Sequence, residues 1–281
     1  MDETRFAGVL NGAREARRAV GSFTCYNLEE LEAVIGAAET RQAPVIVLVS
    51  PSSFRSAGGE RLVRGFRAAG AHSSIEVLVQ LDHVSDKSSI ERAARCGVDA
   101  VMADGSKLSL RENLEFTVEV ARFLLPRGIG VEAELGRLEG QEDRTGEALA
   151  GAMTDPEEAA EFADKSGVDC LAVAVGNVHG HYSGTPSLDW ERLAEISDSV
   201  SLALSLHGAS GLPNDDLRRA ISCGVAKTNV NTELRAAYFG CLEEELGPAS
   251  EALDLKRLGD RLTEAITEVV EAKLCAFGWT D

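Results

Sequence analysis

Residues 76–83, EVLVQLDH, join a short apolar run to two polar residues that follow it directly. A continuous apolar run of this length is typical of a strand buried on both faces of a parallel sheet. The aspartate and the histidine then mark the place where the strand ends and a loop begins. The same arrangement recurs along the chain, and its recurrence predicts the fold.

Charged segments with helical periodicity separate the apolar runs. Three of these segments, residues 28–39, 109–125 and 155–166, are predicted amphipathic helices. The chain has no linker rich in Pro, Gly or Ser, which favours one domain over residues 1–281, an α/β fold of the (β/α)8 TIM barrel type. An open, doubly wound sheet is the alternative. The predicted strands are residues 20–25, 44–49, 76–81, 100–103, 128–134, 170–175, 201–206 and 226–230.

Two segments fall outside this alternation. Residues 136–151 form a long, acidic, Gly-rich connection, which is typical of a loop that covers an active site. From about residue 233 the chain has a helical pattern almost to its end, and we predict a helical C-terminal extension that packs on the barrel or on a neighbouring subunit. A homodimer or a homotetramer is therefore expected.

Composition narrows the class of partner. The chain has 46 acidic and 28 basic residues, a formal net charge of −18, which argues against nucleic acid and against an acidic membrane surface as partners. A small anion can still bind if backbone N–H groups form a local pocket. The six scattered cysteines form no C-x-x-C pair, and no signal peptide or apolar transmembrane stretch is visible. These features predict a cytoplasmic protein with reduced thiols.

Three of the five histidines follow predicted strands: His83, His179 and His207. In a TIM barrel the C-terminal ends of the strands supply the catalytic groups, and three imidazoles with an open fourth position commonly hold catalytic zinc. The alternative is that each is an ordinary surface or hydrogen-bonding histidine. His181 competes with His179, which we prefer because it lies nearer the strand end.

Several acids lie near the same strand ends. Asp82 directly precedes His83, and Glu132 and Glu134 alternate on one face of strand five, where burial is costly unless a cation or hydrogen bonds compensate. Glu142 and Asp143 lie in the long connection, and their local sequence alone indicates solvated loop acids.

A phosphate site is predicted from two short segments. The sequence GASG (208–211) follows strand seven, and NVNT (229–232) closes strand eight before a helix. TIM barrels often bind phosphate with the loops after these two strands and a helix N-terminus. Short Gly-rich turns are usually only turns, so their position is stronger evidence here than their composition.

Taken together, six ordered motifs between about residues 17 and 240 resemble the class II, metal-dependent fructose-bisphosphate and tagatose-bisphosphate aldolases. The motifs are QLDH (80–83), MADGS (102–106), VEAELG (131–136), GNVHG (176–180), LHGASG (206–211) and TNVNTE (228–233). The resemblance implies an aldehyde-lyase of carbohydrate metabolism, such as glycolysis, that cleaves a ketose phosphate to dihydroxyacetone phosphate and an aldehyde.

The resemblance also implies roles for individual residues. A catalytic Zn²⁺ would be held by His83, His179 and His207, with Glu134 as a secondary ligand. Asp82 would be the base on the hydroxyl beside the cleaved bond, and Glu142 would carry the proton of the nucleophilic carbon. A monovalent cation, Na⁺ or K⁺, is expected near the phosphate. The residues expected to hold dihydroxyacetone phosphate are Ser50, Gly180, Gly208, Ala209, Ser210, Asn229, Val230, Asn231 and Thr232.

The sequence departs from the family pattern at three places. Residues 22–24 are Ser-Phe-Thr instead of Ala-Phe-Asn, Lys107 replaces a frequent histidine, and Ser183 replaces a lysine that often binds phosphate. The last departure makes a different, singly phosphorylated ketose an alternative substrate.

Three rival functions remain at this level. A Schiff-base aldolase would use Lys227 as its nucleophile, and a metal-dependent hydrolase would use the same ligands to activate water. A non-catalytic scaffold would have no reason to keep Asp82 together with the three histidines. Loss of activity on chelation separates the metal enzymes from the Schiff-base aldolase.

Overall fold

The structure is a computed structural model that describes residues 3–136, 147–148, 151–178, 181–182 and 186–280. Eight strands of the described chain form one closed sheet. They are β1 (Val20–Thr24), β2 (Val45–Val49), β3 (Val77–Val84), β4 (Ala100–Ala103), β5 (Gly130–Leu135), β6 (Cys170–Val173), β7 (Ala203–Leu206) and β8 (Val225–Val230).

Closure of the sheet distinguishes the barrel from an open sheet. Strand β1 pairs in parallel with β2 on one side and with β8 on the other, where Val20 lies opposite Lys227. The predicted (β/α)8 TIM barrel is therefore confirmed. The helices are α1 (Arg5–Glu15), α2 (Leu28–Thr40), α3 (Pro51–Arg55), α4 (Gly59–Gly70), α5 (Lys87–Cys96), α6 (Leu110–Leu124), α7 (Pro156–Ser166), α8 (Trp190–Ser199), α9 (Asn214–Ser222), α10 (Thr232–Ala252) and α11 (Leu255–Ala276).

Helix α1 closes the end of the barrel at which the strands begin. Its Phe6 and Leu10 are fully buried in one cluster with interior residues of seven of the eight strands, such as Leu78 and Ala100. Phe6 packs so closely on Gly130 that a Cβ there would lie 2.5 Å from Cβ of Phe6. The other end of the barrel, where the strands end, is left for the site.

A second apolar cluster lies between the sheet and the surrounding helices. In β2, Ile46 and Leu48 face the interior cluster, whereas Val45 and Val47 join the outer one. This alternation follows from the two-residue period of a strand. Each such side chain contributes about 1.5–3 kcal/mol when it is fully buried, so both clusters stabilise the framework that holds the site.

A repeated Gly-Val-Asp turn begins two of the strands. Gly97 and Gly167 end helices α5 and α7 with positive φ values of +83° and +71°. Two residues later, Asp99 accepts a hydrogen bond from the N–H of Val79, and Asp169 accepts one from the N–H of Val131. Each aspartate thus accepts a hydrogen bond from the neighbouring strand: Asp99 precedes β4 and binds β3, and Asp169 precedes β6 and binds β5.

The C-terminal extension, here called the tail, consists of α10 and α11, which are buried to different degrees. Helix α11 packs against α2 and buries residues such as Leu262, Ile266 and Val270, whereas α10 buries only Leu234 and Ala249. Phe239 on α10 is 59% exposed. Among the described residues, no helix combines the length and the apolar composition that a membrane span needs.

Candidate active site

A bulge near the end of β3 brings two adjacent side chains to one place. The pairing of β3 with β4 shifts register between Leu81 and Val84, and His83 has a φ of +39°, in the left-handed region. In a regular strand Asp82 and His83 would point to opposite faces. Here their ligand atoms lie with that of His207 in one group, all within 4.8 Å of one another.

The two imidazoles face each other across the mouth of the barrel. His83 Nε2 lies 3.0 Å from His207 Nδ1, and the ring planes are 85° apart. The other nitrogen of each ring contacts a carboxylate: Nδ1 of His83 lies 3.1 Å from Asp104 Oδ2, and Nε2 of His207 lies 2.8 Å from Glu132 Oε1.

These contacts test whether the site fits a metal. Because an ionised carboxylate can only accept, the ring nitrogens that face Asp104 and Glu132 carry the protons. The two nitrogens that face each other then both present lone pairs, which repel unless a cation lies with them. Carboxylate–histidine pairs of this kind orient metal ligands in many proteins, so the residues present fit a divalent metal.

Burial and charge set the protonation of this cluster. Burial raises the pKa of Asp104, but its hydrogen bonds with His83 and Ser106 outweigh this effect and hold that pKa well below its usual range. Burial also raises the pKa of Glu132. The charge of Lys227 and the hydrogen bonds with His207 and Gln80 outweigh this effect and hold that pKa well below its ordinary value. Burial lowers the pKa of His207, although Glu132 opposes the shift, and a neutral imidazole is the form that binds a metal.

Asp104 and Glu132 are candidate functional residues to which no such role was assigned from the sequence. Asp104 stands within a recognised motif, and Glu132 was noticed only as a buried acid beside Glu134. They are 21 and 75 residues from the histidines that they contact, so no local spacing could have assigned them. For Asp104 the sequence signal was its place in the MADGS motif, and for Glu132 it was the unexplained presence of an acid in a buried strand.

Glu134, the predicted secondary ligand, also faces this centre. Its side chain is 2% exposed, and its Oε2 lies 3.7 Å from His83 Nδ1 and 4.0 Å from His207 Nδ1. These distances place a further carboxylate beside both imidazoles. Its role as a ligand stays a prediction.

Lys227 lies in the barrel interior below the histidines. Its fully buried Nζ lies 3.0 Å from Glu132 Oε2 and donates a hydrogen bond to Asn229 Oδ1 at 2.5 Å. An ammonium that is ion-paired in this way is a poor nucleophile, because the amine must be deprotonated before it attacks. The geometry therefore gives Lys227 the role of counter-charge to Glu132.

The predicted phosphate segments lie beside the histidines. The amide group of Asn229 is 3.3 Å from His207 Nε2 and 3.4 Å from Asp82 Oδ2. The backbone N–H of Asn231 donates to Ser210 Oγ at 3.3 Å, which links the Gly208–Gly211 loop to the end of β8. Gly208, Ala209 and Ser210 thus lie in the loop directly after His207, while Val230 ends β8 and Thr232 begins α10.

Ser50 has a local structural role. It is the N-cap of α3, and its Oγ accepts a hydrogen bond from the N–H of Ser53. It follows β2 at the same end of the barrel as the histidines, which is compatible with the predicted substrate contact. Three other predicted site residues, Glu142, His179 and Gly180, lie outside the described residues, as do Asp143 and Ser183. Of the three predicted histidine ligands, the described part of the chain therefore includes two, and it brings them together.

Comparison with known proteins identifies the family of this chain over nearly its whole length. The family described as fructose-bisphosphate aldolase class-II matches residues 4–281. The chain belongs to the class II fructose-bisphosphate aldolase family. It is accordingly an aldolase, an aldehyde-lyase of a metal-dependent family, and the resemblance seen in the six motifs is confirmed.

Individual members of the family are similar over nearly the whole chain. A protein of Bacillus subtilis (strain 168), named "Probable fructose-bisphosphate aldolase", is 38% identical over 275 residues, 96% of this chain and 95% of that protein. The crystal structure of a "putative fructose-1,6-biphosphate aldolase" from Coccidioides immitis has a TM-score of 0.92 at 36% identity and covers 100% of this chain and 98% of that one. The YdjI aldolase from Escherichia coli K12 has a TM-score of 0.86 at 31% identity, with 99% and 98% covered.

Proposed function

We propose that this aldolase is zinc-dependent and cleaves a ketose phosphate, of the fructose- or tagatose-bisphosphate type, to dihydroxyacetone phosphate and an aldehyde. The observation that carries the proposal is the group of Asp82, His83 and His207 at the open end of the barrel. The family match supports aldol chemistry, and the two nitrogen donors backed by carboxylates support zinc.

The metal would be held by His83, His207 and His179, with Glu134 as a secondary ligand. When bound, zinc supplies Lewis-acid stabilisation of the negative charge that cleavage leaves on the ketone fragment. His181, two residues beyond His179, is not a ligand in this proposal. Its backbone pairs with Glu147 in a two-residue strand.

Asp82 is the base in this proposal. It is fully buried and lies with the two histidines, so it can take the proton of the hydroxyl beside the cleaved bond while substrate excludes water. Asn229 lies within 3.4 Å of Asp82 and helps to hold it in place. Glu142 would then exchange the proton at the carbon that becomes nucleophilic.

The phosphate of the ketone would bind to the loops after β7 and β8. Gly208, Ala209, Ser210 and the segment from Asn229 to Thr232 offer backbone N–H groups and hydroxyls there, and Ser50 and Gly180 would complete the site. A monovalent cation, Na⁺ or K⁺, would lie near this phosphate. The partner is thus a small phosphorylated sugar, and not nucleic acid or a membrane.

The second candidate substrate is a singly phosphorylated ketose. Ser183 replaces a lysine that often binds phosphate in the family, and a charge-assisted contact is typically worth about 1.5–3 kcal/mol. We expect fructose 1,6-bisphosphate to be a mediocre substrate for this reason. Lys107, an exposed residue in the loop after β4, is the candidate side chain for compensation.

One screen tests the function and the substrate together. Release of dihydroxyacetone phosphate is measured from fructose 1,6-bisphosphate, tagatose 1,6-bisphosphate and singly phosphorylated ketoses, with added zinc and after EDTA. We expect cleavage that EDTA abolishes and zinc restores. Cleavage that survives removal of the metal would reject the zinc mechanism. Ser183→Lys should raise kcat/KM for the two bisphosphates if the replacement of lysine by Ser183 weakens their binding.

We also propose a cytoplasmic homodimer or homotetramer. All six cysteines lie in the described part of the chain and none is in a disulfide, which supports a reducing compartment. The exposed apolar side chains of the tail support self-association: Phe239, Leu246, Leu253 and Leu255 are all at least half exposed.

A further inference from the structure

One carboxylate ties the Gly208–Gly211 loop to the C-terminal helix. Glu233 lies in the first turn of α10, and its Oε1 accepts a hydrogen bond from the N–H of Gly211 at 2.8 Å. Its Oε2 lies 2.7 Å from Nζ of Lys273, on α11. The connection therefore runs from the far end of the chain to the loop that follows His207.

Burial makes this connection specific. The side chain of Lys273 is only 9% exposed and that of Glu233 is 29% exposed. An ammonium so far removed from water needs a counter-charge, and Glu233 supplies it. Because the same carboxylate also accepts the Gly211 N–H, the position of the loop is coupled to the ion pair.

The start of this loop has other anchors, since Asn177 Nδ2 donates to the carbonyl of His207 at 3.0 Å and Ala209 is fully buried. Gly211, by contrast, is the point that the tail reaches. Gly208 and Gly211 have positive φ values of +64° and +84°, so the turn depends on conformations that only glycine adopts easily. The contact between Asn231 N–H and Ser210 Oγ is long, at 3.3 Å. The direction of the neighbouring N–H groups, which determines how well they can meet a phosphate, thus depends in part on where Gly211 is held.

We infer that Glu233 and Lys273 are positioning residues that hold the Gly208–Gly211 loop in the form that binds the substrate phosphate. Neither needs to touch the substrate, since Glu233 acts through Gly211 and Lys273 acts through Glu233. The inference rests on the proposed function, because it assumes that this loop receives a phosphate. It gives the C-terminal helix a part in substrate affinity.

Lys273→Met is the main test, because it removes the ammonium and keeps an unbranched apolar side chain. We expect KM for the ketose phosphate, and the Kd for dihydroxyacetone phosphate in calorimetry, to rise about tenfold with kcat nearly unchanged. Hydrogen exchange of the amides of residues 208–212 should become faster. Glu233→Gln also breaks the ion pair and keeps an acceptor for Gly211, so it should give a rise similar to that of Lys273→Met, whereas Lys273→Arg should keep most of the affinity.

Glu271→Gln is the matched control. Glu271 lies two residues away on α11 and pairs with Arg41 at 3.1 Å, so its loss weakens another ion pair of the same helix without reaching the loop. We expect a similar fall in Tm and an unchanged KM. If the Tm of Lys273→Met falls like that of the control while KM, Kd and hydrogen exchange stay at wild-type values, the inference is overturned and the proposed function is not. A wild-type protein that binds neither dihydroxyacetone phosphate nor inorganic phosphate would overturn the proposed function as well.

Discussion

Asp82 and His83 share one functional centre only because the backbone between Leu81 and Val84 leaves the regular strand. The φ of +39° at His83 is unfavourable for a residue other than glycine, typically by about 1–3 kcal/mol. Such strain persists where the surroundings determine the conformation, and it is frequent at active sites. It places a carboxylate and an imidazole side by side, which regular alternation would prevent.

Replacement of Asp82 by alanine separates catalysis from metal binding. If Asp82 is the base, Asp82→Ala should keep its zinc and its fold while kcat falls by about 10²–10⁴. Metal analysis, far-UV circular dichroism and kcat on the best substrate are the measurements. Near-normal kcat would remove Asp82 from the mechanism, and loss of zinc would make it a ligand.

Asp104 should determine metal affinity without binding the metal. Asp104→Asn weakens the contact that orients His83, and the loss of a carboxylate behind a metal-bound histidine typically raises the metal Kd about 10–100-fold. Competition with a chromophoric chelator measures this change. Glu119→Gln, which weakens only the exposed ion pair with Lys87, should leave the Kd unchanged. Equal values for both variants would contradict the role given to Asp104.

Sequence reasoning identified the ends of the strands far better than the contacts across the barrel. The strand that precedes His207 was predicted at residues 201–206 and is Ala203–Leu206, so the histidine was correctly placed at its end. A run of apolar residues carries that information locally. The contact of His207 with Glu132 depends on how β5 and β7 lie around a closed sheet, and no single strand encodes it.

At the scale of elements, helix α1 shows what the pattern analysis overlooked. Phe6, Leu10 and Ala13 recur at helical spacing, and Thr4 caps the helix by accepting a hydrogen bond from the N–H of Ala7. The helix was not among those predicted. Its apolar face has meaning only once the strands form a closed ring whose lower end it can cover.

The turn after β7 should accept only glycine at its first position. A Cβ on Gly208 would lie 2.1 Å from the carbonyl oxygen of Val178, and its φ of +64° is also unfavourable for other residues. Gly208→Ala should lower the free energy of unfolding by at least about 2 kcal/mol, because the backbone must move or stay strained. Urea denaturation of the metal-free protein measures this loss apart from any ligand effect.

Gly36 provides the opposite case for the same substitution. It lies within α2, and a Cβ there meets nothing within 4 Å. Gly36→Ala should raise the stability by about 0.5–1 kcal/mol, because alanine loses less backbone entropy in a helix. A Gly208→Ala protein as stable as Gly36→Ala would show that the loop adapts freely.

At the scale of the whole molecule, the exposed apolar residues of the tail should be interface residues. Phe239→Glu adds a charge to a helix that buries only two of its 21 residues, and we expect it to lower the molar mass in solution towards that of a monomer. Analytical ultracentrifugation gives the mass directly. Glu251→Gln, an exposed change near the end of the same helix, should have no effect. A wild-type protein that is already monomeric would end this proposal.

Helix α1 gives the barrel a closed end, and this makes exchange with solvent one-sided. Phe6 and Leu10 fill the space below the first residues of the strands, and Lys227 and Glu132 occupy the layer above them. Among the described residues this end offers no exit, so an ion held by His83 and His207 would leave through the open end, by which the sugar would enter. A sugar bound at that open end should block the ion, so the sugar should leave before the ion does. We therefore expect dihydroxyacetone phosphate to slow the removal of zinc by a chelator.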